Sequence, residues 1–102
     1  GIFVRADYKL VHILYDDILF IEGLKDYIKI YTVKEKRPII TLMSLKSMEE
    51  ELPENRFIRV HRSYIISRSR ISSIDKNRIL ILDHQVPIGE TYRKGFMNAI
   101  NS

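Results

Sequence analysis

The chain contains no cysteine, which excludes a disulfide framework, a thiolate zinc site and a cysteine nucleophile. The absence also fits a reducing compartment. Glycine and proline are scarce, at four and three in 102 residues. The glycines (Gly1, Gly23, Gly89, Gly95) form no phosphate-cradling loop, and no linker, low-complexity segment or internal repeat is visible. No apolar run approaches the roughly 20 residues of a transmembrane helix. The first residues, Gly-Ile-Phe-Val-Arg, lack the basic start and apolar stretch of a signal peptide. Gly1 stands where an initiator Met would, so the chain is expected to be a piece of a longer protein. Histidine is also sparse: His12, His61 and His84 are far apart, whereas metal sites usually place at least two ligands close together. Asp16-Asp17 is an adjacent acidic pair, but neighbours on a strand face opposite ways. Ser63, two residues after His61, lacks a nucleophile elbow and a third partner. No catalytic residue, metal or cofactor is expected.

What remains is a length suited to one core, with roughly two-thirds of the unfolded surface buried. At 45% hydrophobic and 29% charged residues, the composition is globular. The patterning is β almost throughout. Phe3–Ala6 and Lys9–Leu14 read as strands around a turn at Asp7-Tyr8, and Asp17–Glu22 is an apolar run of strand length. Gly23-Leu24-Lys25-Asp26 supplies turn chemistry, with Gly available for positive φ. Tyr27–Val33 alternates β-branched and aromatic residues, and Lys34–Arg37 makes a charged tip before Pro38. Further strands are expected over Phe57–His61, Tyr64–Ser67, Arg70–Ile74 and Arg78–Leu82, with a short extended piece at Val86–Ile88. Two stretches follow helical spacing instead. Ser44 caps Leu45–Leu52, which Pro53 stops, and Tyr92, Phe96, Met97 and Ile100 mark a stripe over Thr91–Ile100. The expectation is a mostly β domain spanning 1–102, with antiparallel pairing and two short helices.

Charge is divided unevenly. Residues 1–51 carry eight Lys/Arg against nine Asp/Glu, and residues 52–102 carry nine against four. From Arg56 to Arg70 there are five arginines and no acid. Such asymmetry points to a polyanionic partner, although a solvated basic face has the same composition.

The most distinctive stretch is Phe57-Ile58-Arg59-Val60-His61-Arg62-Ser63-Tyr64-Ile65-Ile66-Ser67, after a helix ending Leu52-Pro53 and before Ile71-Ser72-Ser73-Ile74. It resembles the LytTR domain, the DNA-binding output domain of LytR/AlgR-type bacterial response regulators. Asp16–Glu22, the Tyr27–Thr32 strand and Leu42–Lys46 agree, so the resemblance covers residues 9 to about 98. It implies an elongated sandwich of short antiparallel sheets whose loops, rather than a recognition helix, enter successive major grooves. It also implies double-stranded DNA carrying direct repeats, a second copy alongside on the duplex, an upstream receiver domain, a cytoplasmic location and no membrane contact.

Carried over by motif, Arg62 takes the base-reading position, and the loop Gly23–Tyr27 approaches another groove through Lys25 and Tyr27. The planar fork of arginine suits guanine O6 and N7. Arg59, Ser63, Arg68, Arg70, Arg93 and Lys94 are candidate backbone contacts, with an internal ion pair the competing expectation for Arg59. His61 and Tyr64 are expected to support the loop. The chain departs from the pattern at Gly89-Glu90, where the family has Ser-Arg. A β-type protein-interaction or dimerisation module would instead show a contiguous apolar surface. An RNA-binding module would show stacking aromatics such as Tyr27 and Tyr31.

Overall fold

In the computed structural model, which describes residues 1–101, the chain first forms a hairpin of β1 (Ile2–Ala6) and β2 (Lys9–Ile13). Its two-residue turn places Asp7 at φ 52° and Tyr8 at φ 63°, the left-handed pair that matches the twist of the flanking strands. A single 3₁₀ turn (Tyr15–Asp17) then leads into a five-stranded antiparallel sheet ordered β5-β4-β3-β7-β6. Its strands are β3 (Ile18–Gly23), β4 (Ile28–Thr32), β5 (Ile39–Thr41), β6 (Phe57–His61) and β7 (Tyr64–Ser67). Helix α1 (Leu45–Glu51) connects β5 to β6; the Ser44 hydroxyl accepts from the Ser47 amide at 3.0 Å and opens it. A second sheet of β8 (Ser73–Asp75), β9 (Arg78–Ile81) and β10 (His84–Pro87) follows, and helix α2 (Arg93–Ile100) ends the described chain.

The central sheet buries both faces, and period-two alternation sends neighbouring residues to different cores. Ile21, Ile28, Ile30 and Ile65 face Ile2, Val4 and Ile13 of the first hairpin and Leu45 and Met48 of α1. Phe20, Val60 and Ile66 face Ile79, Ile81 and Val86 of the second sheet and Phe96 of α2. Adjacent Ile65 and Ile66 thus serve opposite layers, which explains why these strands read as unbroken apolar runs. The stacked layers make an elongated body of 39 × 23 × 21 Å, the mostly β sandwich expected, with two short helices.

Several local expectations change. The strand expected over Arg70–Ile74 is instead a 3₁₀ turn at Arg68–Arg70 followed by the three-residue β8. The turn carries the chain from one sheet to the next and is fixed by two arginine-to-carbonyl bonds described below. The last helix opens as a 3₁₀ turn over Glu90–Tyr92, with α-helical geometry from Arg93. Gly23 has no positive φ. A Cβ there would lie 3.0 Å from Leu45 Cβ, so close packing of α1, not turn conformation, requires the glycine. Asp16 and Asp17 sit on a 3₁₀ turn rather than a strand and pair separately with Arg56 and Lys34.

Candidate nucleic-acid interface

The β6–β7 hairpin turns through Arg62 and Ser63, with His61 paired to Tyr64. Two-residue hairpin turns normally use positive φ so that strand twist is preserved. Neither Arg62 nor Ser63 has it; instead the register shifts between Arg59 and His61, and side chains bind the turn. His61 Nδ1 accepts from the Ser63 amide at 3.0 Å, which places the ring proton on Nε2 when the imidazole is neutral. Arg59 donates from Nε to the His61 carbonyl (2.8 Å) and from Nη2 to the Arg62 carbonyl (2.5 Å). Its Nη1 meets Glu49 of α1 at 2.8 Å, and the Tyr92 ring lies 5.8 Å from its guanidinium carbon.

The end of β3 lies beside this tip. Glu22 pairs with Tyr64 in the β3–β7 register, and the Gly23 amide donates to the Ser63 carbonyl at 2.8 Å. The following loop closes with Leu24 N–H on the Tyr27 carbonyl, also 2.8 Å. Glu22, Gly23, Leu24, Lys25, Leu45, His61, Arg62, Ser63 and Tyr64 consequently line one shallow, open depression. Lys25 and Arg62 are both exposed on it. The structure therefore brings together two segments some forty positions apart in sequence. Tyr27, half-buried just before β4, does not line the depression.

Beneath the tip, the Glu22 carboxylate accepts from Tyr64 at 3.0 Å and from Tyr31 at 3.5 Å. Burial first, then the hydrogen bond and charge of Glu22, then Tyr31, push the Tyr64 hydroxyl up to about 12. Tyr31 is raised as well, by burial first and then by Glu22. The Tyr31 ring stacks on Phe20 at 4.4 Å, so it is part of the packing rather than an open platform for bases. Glu22 and Glu49 are not singled out by the sequence as site residues. For Glu22, the available signal was an acid within an otherwise apolar strand.

A third segment closes around β6. The Gly89 amide donates to the Val60 carbonyl at 2.7 Å, and a Cβ at Gly89 would lie 3.1 Å from the Tyr92 ring. Glu90 and Lys94 are exposed here. Arg56, Arg68, Arg70 and Arg93 bind protein atoms. Arg68 donates to the Ala99 carbonyl at 2.6 Å. Arg70 donates to the Asp16 carbonyl, Arg56 pairs with the Asp16 carboxylate, and Arg93 holds Lys76 O and Asn77 Oδ1, each at 2.8 Å. Of the five arginines from Arg56 to Arg70, Arg62 alone has no protein partner among the described residues.

The family of LytTr DNA-binding domains matches residues 8–101. The sensory transduction protein LytT of Bacillus anthracis is 31% identical over 85 residues, covering 78% of this chain and 34% of that protein. The chain thus spans about a third of the length of this curated relative. Among solved structures, the LytTr DNA-binding domain of a putative methyl-accepting/DNA response regulator from Bacillus cereus superposes with a TM-score of 0.83 at 20% identity. That match covers 99% of this chain and 96% of the other, a likeness of fold.

Proposed function

The chain belongs to the LytTr DNA-binding domain family, and from that premise we propose that it binds duplex DNA through the depression shared by the Arg62 hairpin and the Lys25 loop. It is a DNA-binding domain for transcription regulation from a response-regulator context. The observation that carries the finer reading is the side-by-side placement of two loops, each presenting a cationic side chain with no protein partner among the described residues. A guanidinium on a hairpin tip held by its own backbone suits bidentate contact with guanine in the major groove. Lys25 reaches the same stretch of groove from the adjoining loop, while Ser63 and Lys94 meet phosphate. Arg68, Arg70 and Arg93 add positive potential near the duplex while their donors remain on protein carbonyls.

In the full-length protein, this domain serves as the output half beneath a receiver, in the cytoplasm, with a second copy on direct repeats. No helix among the described residues is long and apolar enough to cross a membrane. An electrophoretic titration against duplex DNA, single-stranded DNA and RNA tests the central assignment. Duplex DNA is expected to bind tightest and to yield a preferred sequence on selection from a random library. Tighter binding to RNA or to single strands would overturn it, because stacking rather than groove geometry would then dominate.

A further inference from the structure

Arg59 lies within the acid-free run, yet its side chain is only 17% exposed and three of its five donors are already engaged. Two of those bonds end on the carbonyls of His61 and Arg62, the backbone from which the Arg62 side chain departs. The turn at Arg62-Ser63 lacks the positive φ that would let it close unaided. Its carbonyl direction is therefore fixed by the guanidinium fork. Glu49 balances the charge from α1, and the Tyr92 ring lies alongside it. The α1 helix and the 3₁₀ turn before α2 thus both reach the Arg62 hairpin through one side chain.

We infer that Arg59 is a positioning residue that sets the exit angle of Arg62 and thereby governs sequence discrimination, without itself touching DNA. The inference rests on the reading of Arg62 as the base-contacting residue. A base pair is read only when the fork meets its edge in plane, so rotating the turn forfeits discrimination while charge-driven binding persists. Lysine cannot replace the fork, because a single ammonium does not reproduce its planar set of donors. At a phosphate contact, by contrast, lysine substitutes well.

The experiment measures affinity for a duplex selected by this chain from a random library and for a scrambled duplex, over a range of salt, well below each variant's melting temperature. Arg59→Lys is expected to lose discrimination by about tenfold, the lower part of what a lost bidentate base contact gives. Its binding to the scrambled duplex and its salt slope should stay as in the wild type. In an Arg62→Ala background, the same substitution should cost no further discrimination. Glu49→Gln, on the exposed face of α1, is the second probe should Arg59→Lys fail to fold; it should lower discrimination about two- to threefold, a smaller loss because both carbonyl bonds remain. If Arg59→Lys or, in its place, Glu49→Gln keeps full discrimination while Arg62→Ala loses it, the positioning role is overturned and the base-reading role of Arg62 stands. If Arg62→Ala itself keeps full discrimination, the base-reading assignment fails first and the positioning role falls with it. A salt slope that becomes about one unit shallower in Arg59→Met, with discrimination intact, would identify a phosphate contact instead.

Discussion

The hairpin tip at Arg62 and the 3₁₀ turn at Arg68–Arg70 come from one acid-free run, yet their arginines have opposite environments. Arg62 extends from a tip whose backbone is already satisfied by Arg59 and His61. Arg68 and Arg70 each commit a donor to the carbonyls of Ala99 and Asp16, 31 and 54 positions away. A guanidinium that satisfies a carbonyl at an element end contributes charge-assisted hydrogen bonding to the fold. One left without a protein partner keeps its donors for a ligand. Clustered charge in sequence therefore describes a potential, while the hydrogen-bond partners decide which cation can read a base.

The largest test of that contrast is a pair of substitutions with crossed effects. Arg62→Ala should cost roughly 1–3 kcal/mol in cognate affinity and flatten preference at one base step. Its folding stability should remain within about 0.5 kcal/mol of wild type. Arg68→Ala should do the reverse, losing about 1–3 kcal/mol of stability through the lost charge-assisted bond from Arg68 to the Ala99 carbonyl. Denaturant unfolding and duplex titration on the same samples check both; equal effects on both measurements would erase the contrast.

Next in size is the packing of α1 behind the first loop. Gly23→Ala forces a Cβ against Leu45 at 3.0 Å and should destabilise by about 1–2 kcal/mol through overpacking. Lys25 follows two residues later, so DNA affinity should fall with stability. Gly95→Ala is the control, since a Cβ there meets nothing within 4 Å.

A smaller difference concerns salt. If about four to six phosphates are neutralised by the cations counted from the sequence (Arg59, Arg62, Arg68, Arg70, Lys25 and Lys94), the log–log slope is near −4 to −5. Arg59 is paired with Glu49, and Arg68 and Arg70 each turn one donor to a protein carbonyl; with Arg62, Lys25 and Lys94 as the cations that meet the duplex, the slope should be about −2 to −3. Lys94→Ala should make it shallower by about one. A measured slope as steep as −5 would mean that the tied arginines turn outward on DNA.

The central strands are legible because short runs of isoleucine and aromatic residues, bounded by turn residues, supply apolar side chains to both buried faces. Helix α1 was legible because Ser44, Leu45, Met48 and Pro53 state its start, face and stop. Illegible were features whose cause lies far along the chain. Arg70–Ile74 has a strand's composition, but Arg70 binds the Asp16 carbonyl and the chain turns there. Gly23 suggested turn conformation because the sequence does not show Leu45 above it. The same holds for the candidate site: Arg62 and Lys25 were named from a motif, but their sharing of one depression depends on Glu22 pairing with Tyr64. The intramolecular duties of Arg59 were only half visible, as one of two competing expectations.

The least perturbing test works underneath Arg62, where Tyr64 donates to Glu22. Burial, the Glu22 hydrogen bond, the charge of Glu22 and Tyr31 raise its hydroxyl from the ordinary 10.0 to about 12, so the folded state favours the neutral phenol. A raised folded value means that this contribution is complete below pH 10.0 and fades as pH climbs toward about 12. Other groups also titrate in that range, chiefly the lysines, so the informative quantity is the stability difference between wild type and Tyr64→Phe. That difference should favour wild type at neutral pH, shrink above pH 10.0, and be gone or reversed near pH 12. Tyrosinate absorbance should show two residues, Tyr31 and Tyr64, ionising above the ordinary range, and Glu22→Gln should bring both to lower pH by removing the carboxylate charge. A stability difference that stays flat across the window would mean the Tyr64–Glu22 bond does not hold the hairpin, leaving Arg59 and His61 as its supports.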